Sequence, residues 1–94
     1  MSIGPTSNIT GRFSRDPEGR VVVEARGAVF RSRALHPMAR VGRTPVIGVR
    51  CTLGVLTGFV AGNPQRNDEL IVRFVPEPEI RTGVRFSIEP LAVA

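Results

Sequence analysis

Apolar and polar residues alternate with a period of two through most of this chain, and that period predicts strands. From Ile9 to about Arg15, Ile9, Gly11 and Phe13 share one face and Thr10, Arg12 and Ser14 the other. Arg20 to Arg26 carries Val21, Val22, Val23 and Ala25, a β-branched run of strand length. Ala28 to Leu35 alternates again, with Ala28, Phe30, Ser32 and Ala34 opposite Val29, Arg31, Arg33 and Leu35. In Pro45 to Leu53 the apolar face is Ile47, Val49, Cys51 and Leu53. In Glu69 to Val75 it is Leu70, Val72 and Phe74, and in Arg81 to Glu89 it is Val84, Phe86 and Ile88. Between Gly54 and Ala61 the spacing changes. Val55, Leu56, Phe59 and Val60 fall at i, i+1, i+4 and i+5, which predicts a short helix weakened by its glycines.

Breakers separate these elements. Asp16-Pro17-Glu18-Gly19 predicts a turn: Pro17 fixes its own φ, Asp16 can bond backbone amides two residues on, and Gly19 can adopt φ > 0. Gly27 marks a turn or a bulge. His36 to Pro45, with two prolines, Gly42, Arg40 and Arg43, has no evident period and reads as a mobile basic loop. Gly62 to Asp68 is a polar breaker, and Pro76 and Pro78 mark a loop or sheet edge. The count is five to six strands and one short helix. That order predicts an all-β, OB-type Greek-key barrel, a single domain over residues 1–94 with 1–7 as a loose lead-in.

Composition adds a charge. The chain has 13 basic side chains, all arginine, against 8 acids, for a net charge of +5. The missing lysine is what a GC-rich coding sequence produces, but the excess over acids is not, and it points to a polyanionic partner, most simply nucleic acid. No apolar stretch is long enough for a membrane-spanning helix, and no basic segment followed by an apolar one opens the chain. With a single cysteine, Cys51, the expectation is a cytoplasmic protein without a disulfide framework.

The stretch Gly11-Arg12-Phe13-Ser14-Arg15-Asp16-Pro17-Glu18-Gly19-Arg20 resembles the opening of the bacterial-type single-stranded-DNA-binding proteins. Their first strand and turn read roughly Gly-Arg-Leu-Thr-Arg-Asp-Pro-Glu-Leu-Arg, so Phe13 and Gly19 are the departures. Gly27 to Leu35 is similar, more loosely, to that family's next glycine and strand, and Asn67 to Val72 to a later turn and strand. The resemblance implies an OB-fold that binds single-stranded DNA as a homo-oligomer in replication or recombination. Members of that family typically end in an acidic tip that recruits partners; Pro90 to Ala94 has no such tip, so that activity is not implied.

The chemistry present is binding chemistry. His36 stands alone before Pro37, one histidine and one cysteine cannot close a structural zinc site, and no phosphate-loop glycine pattern occurs, so neither an enzyme nor a cofactor is expected. Cys51 falls on the inward phase and reads as an inert thiol. Arg12, Arg31, Arg33, Arg50, Arg73 and Arg85 fall opposite the inferred core, and Arg40 and Arg43 extend them from the loop. These eight are the candidate nucleic-acid contacts. Of the five phenylalanines, Phe59, Phe74 and Phe86 fall in core phases. Phe13 and Phe30, also nearer to core, are the candidates for base stacking if a strand bends at Gly11 or Gly27. The function expected is non-catalytic binding of single-stranded nucleic acid, DNA favoured. The alternative is an OB-like protein-interaction or structural subunit, for example of a replication complex, that has lost the nucleic-acid site. A nucleotide sensor of the PilZ kind is disfavoured by the lack of an Asp-x-Ser-x-x-Gly signature.

Overall fold

A computed structural model describes residues 9–31 and 36–88. Seven strands follow one another: β1 (Thr10–Arg15), β2 (Val21–Arg26), β3 (His36–Val41), β4 (Thr44–Thr52), β5 (Val55–Val60), β6 (Glu69–Val75) and β7 (Ile80–Arg85). One 3-10 helix, Ala28–Arg31, follows β2. All neighbours pair antiparallel in the order β1-β2-β5-β4-β3-β6-β7. The sheet curls into a nearly closed barrel. At its seam β1 and β7 meet through side chains: Phe13 packs edge-on against Phe86 with ring centroids 5.0 Å apart, and a Cβ on Gly11 would lie 3.1 Å from Val84.

The core is what the alternation requires. Val21, Val23 and Ala25 point inward from β2, Leu70, Val72 and Phe74 from β6, and Leu56 and Val60 from β5. Val23, Val41, Leu56, Leu70 and Val72 are fully buried. The turn after β1 also forms as its residues dictate. The Asp16 carboxylate accepts from the amides of Glu18 (2.9 Å) and Arg20 (2.8 Å) and from Arg20 Nε (2.8 Å), while Gly19 takes φ 85°.

The barrel has seven strands rather than five or six, and three segments depart from the sequence reading. The helix expected from Gly54 to Ala61 is strand β5. Its alternation is hidden because Gly58 holds an inward position where a Cβ would stand 2.5 Å from Val46 Cγ1, while Phe59 faces out. Ala28 to Arg31 is a 3-10 turn, not strand. Its Phe30 amide donates to the Gly27 carbonyl (3.1 Å), and the Phe30 ring turns inward toward Phe74. The rest of that expected strand, 32–35, lies outside the described residues, as do the lead-in 1–7, Glu89 and the terminal residues from Pro90. The expected loop from His36 to Pro45 is strand β3, a two-residue turn at Gly42 and Arg43, and the start of β4. Pro37, Ala39 and Val41 do alternate with Met38 and Arg40; two prolines disguise a segment that pairs with β6 along its whole length.

β4 is half in the expected phase. A bulge between Ile47 and Arg50, with Gly48 at φ 62°, sets one extra residue against β5. Before it Val46 points in; after it Val49 and Cys51 do. Ile47 and Leu53, expected inside, are 55% and 89% exposed. Cys51 is half-buried, and desolvation pushes its thiol pKa up, which keeps it protonated. Among the described residues no helix is long and apolar enough to cross a membrane.

Candidate nucleic-acid interface

Register brings residues distant in sequence onto one outer patch. Arg40 on β3 lies beside Pro45 on β4 and Ile71 on β6, and Met38 lies beside Arg73. Because these positions share the outward phase, their side chains enclose a shallow groove of about 330 Å³. Met38, Pro45 and Ile71 supply its apolar surface, and Arg40, Arg43, Arg73 and Glu79 its charged rim. Arg43 reaches it from the β3–β4 turn, where Gly42 at φ 57° occupies the first central position of a two-residue hairpin.

The rim cations differ in their engagement. Arg40 is engaged through each guanidinium nitrogen: Nε and Nη2 donate to the two Glu79 oxygens at 3.1 and 2.9 Å, and Nη1 donates to the Gly42 carbonyl at 2.6 Å. The Glu79 bond raises the Arg40 pKa against a desolvation penalty. In return the Arg40 hydrogen bond holds Glu79 below the ordinary glutamate value, against desolvation and with the added charges of Arg40 and Arg73. Arg73 Nε donates to the Glu77 carbonyl (2.9 Å), leaving its terminal nitrogens without a carboxylate partner among the described residues. Arg43 forms no ion pair with a described residue.

The other expected contacts do not join this groove. Arg12 and Arg50 lie on the outer face of β1-β2-β5-β4, in a cross-strand row with Glu24 and Thr57 between them. Glu24 lies 3.4 Å from Arg12 and 3.3 Å from Arg26, so this row is mixed in charge. Arg31 sits in the 3-10 helix against the β4–β5 turn, with a Cβ on Gly54 meeting its side chain at 3.1 Å. Arg85 donates to the Asn67 carbonyl (3.1 Å) and lies 3.9 Å from Glu69. Arg33 lies outside the described residues. Phe13 and Phe30, 8% and 3% exposed, are core residues here and present no ring face for stacking.

Three features escaped the sequence. Glu79 and Ile71 enter the groove only through the pairing of β3 with β6, which the loop reading of 36–45 concealed. Phe59 faces outward, half-buried, with the Arg20 guanidinium carbon 4.5 Å from its ring centroid. Its cross-strand partners Val22 and Ile47 complete an apolar row on the outer face. A strand assignment for 55–60 would have turned Phe59 outward at once.

Fold and site together define a seven-stranded antiparallel β-barrel with an arginine-rimmed apolar groove on its outer face. No protein-family model, curated protein or solved structure matches the chain.

Proposed function

We propose that this protein is a non-catalytic binder of single-stranded nucleic acid, DNA favoured, working in the cytoplasm as a homo-oligomer in DNA metabolism. The observation that carries the reading is the groove on β3, β4 and β6, where Arg43 and Arg73 flank an apolar surface of Met38, Pro45 and Ile71. Phosphates of an extended strand are met by guanidinium groups, and unstacked bases cover apolar side chains that water wets poorly. The likeness of Gly11 to Arg20 to the OB-fold single-stranded-DNA-binding proteins supports the same reading and suggests a distant OB-type origin for the barrel. With Phe13 and Phe30 in the core, ring stacking contributes little and phosphate contacts dominate.

The test is fluorescence anisotropy with labelled oligo-dT and the matching duplex in a salt series. Two phosphate contacts, from Arg43 and Arg73, give a slope of log K on log salt of about −1.4, or about a sevenfold loss between about 50 and 200 mM. Replacing both by alanine should flatten the slope and weaken different sequences alike. An unchanged slope in that double variant removes the groove from the interface. A second reading, a protein-interaction barrel, is favoured by the outward row of Val22, Phe59 and Ile47, of which Ile47 is 55% exposed. Absence of any strand binding at the lowest salt decides for it.

A further inference from the structure

The Arg40–Glu79 pair stands on the rim of the proposed interface. Its partners lie 39 residues apart in sequence, so the pair does not follow from chain proximity. Glu79 comes from the connection between β6 and β7, which also carries Glu77 and two prolines, and it meets Arg40 on the rim of the groove. Two parallel N–H···O bonds from one guanidinium are the geometry by which arginine holds a carboxylate or a phosphate. Glu79 therefore occupies a seat that fits two phosphate oxygens equally well. The seat is preorganised: the bond from Nη1 to the Gly42 carbonyl orients the guanidinium without the carboxylate.

We propose that Glu79 is a built-in competitor for the groove, occupying the Arg40 anion seat until a phosphodiester of a single strand displaces it. This rests on the nucleic-acid reading and adds its regulation. Exchange is feasible because both side chains are substantially exposed, 44% for Arg40 and 50% for Glu79, so the pair is bound weakly and opens into water. Charge complementarity selects the occupant. Once Glu79 leaves, Arg40, Arg43 and Arg73 face one apolar surface with no carboxylate among the groove residues. The spacing of repeated phosphates along a strand suits several cations spread along a rim, whereas a lone phosphate satisfies one. At neutral pH Glu79 stays ionised, so it competes continuously and the weakest polyanions are excluded.

Glu79→Gln tests this directly, with Glu18→Gln as the control for net charge, since Glu18 lies in the β1–β2 turn away from the groove. Circular dichroism confirms folding of each. Oligo-dT affinity should rise about two- to fivefold in Glu79→Gln, the range in which an exposed ion pair competes. Because Arg40 ends on a phosphate in both proteins, the salt slope should be alike in wild type and Glu79→Gln, about 0.7 steeper than Arg43 and Arg73 alone give, and Glu18→Gln should change the affinity little. Adding Arg40→Ala to Glu79→Gln should abolish the gain, the non-additivity expected of residues acting through one another. Equal effects of the two charge-removing variants, or a gain that survives loss of Arg40, would overturn the competitor role while leaving strand binding intact. Failure of wild type to bind at the lowest salt would overturn both readings, whether or not Glu79→Gln binds. Inorganic phosphate at matched ionic strength should displace the strand poorly; ready displacement would exclude a strand as the occupant of this seat.

Discussion

Thr82 shows how one side chain can stand in for a ladder. It is 3% exposed, and its hydroxyl donates to the Leu70 carbonyl at 2.6 Å while accepting from the Val84 amide at 3.0 Å. The pairing of β6 with β7 is irregular there, with Ile71 opposite Arg81 but Glu69 opposite Arg85, so backbone groups would otherwise lack partners. Thr82→Val keeps the volume and removes both bonds. The expected loss is about 1–3 kcal/mol in urea denaturation, because two buried backbone groups lose the partner. Thr82→Ser, which retains the hydroxyl, should lose much less; equal losses would assign the effect to packing. Leu53 presents the opposite case. It is 89% exposed at φ 53°, beside Gly54 at φ 82°, in a two-residue turn between β4 and β5 that favours Asn-Gly. Leu53→Asn should raise stability by about 0.5–1 kcal/mol, since the short amide of Asn can hydrogen-bond the local backbone in the left-handed region and the leucine side chain cannot. A lower urea midpoint in Leu53→Asn would show instead that Leu53 makes contacts worth more than its backbone strain.

At the scale of elements, β4 and β5 interlock through an absence. Gly58 leaves room for Val46, and a Cβ there would also stand 3.1 Å from the Ile47 carbonyl, immediately before the bulge at Gly48. Gly58→Ala should therefore destabilise by about 1–3 kcal/mol, the usual range for overpacking, although alanine suits an extended strand better than glycine. A neutral effect on the urea midpoint would mean that Val46 can rotate away. The same pair explains what could be read in advance. β2 was legible as a β-branched run of strand length, and β6 because Leu70, Val72 and Phe74 hold one phase throughout. β5 was not, since the residue that most needs to be small breaks the apolar rhythm. β4 was legible only in part, because a bulge changes phase without leaving a hydrophobic mark, and no pattern in one strand reports an extra residue opposite another. The groove shared this fate. Arg73 was recognisable as an outward residue, and Arg40 and Arg43 only as loop cations; Arg40 and Arg73 meet only through the β3–β6 pairing, and the anion that faces Arg40 comes from a connection with no period at all.

Across the whole molecule, acid sensitivity follows from where the carboxylates are held. Asp16 is partly desolvated, which favours the neutral form, but the amides of Arg20 and Glu18 and the Arg20 guanidinium outweigh this and lower its pKa. Glu69 is likewise desolvated, yet the Gly83 amide at 2.9 Å and the Arg81 and Arg85 charges hold it below the ordinary value. Glu79 is lowered chiefly by Arg40. In each case the folded protein binds the proton less readily than the unfolded chain, so the stabilisation is complete above the unfolded values. Those are 3.8 for the aspartate and 4.5 for the glutamates. As pH falls through them the unfolded state takes up protons first, and stability drops until the folded carboxylates protonate too. The three sites tie the β1–β2 turn, the β6–β7 bulge and the β3 rim of the groove, so loosening is spread over the barrel rather than confined to one end. The net charge of +5 rises as acids are neutralised, and self-repulsion among arginines acts in the same direction. The urea midpoint should therefore be nearly flat from about pH 8 to 6 and decline steeply between about pH 5 and 3. Glu69→Gln should lower stability at neutral pH and make the decline shallower, because one of the three linked groups no longer titrates. A wild-type midpoint that holds constant down to about pH 3 would show that these carboxylates are no better stabilised in the fold than in the unfolded chain.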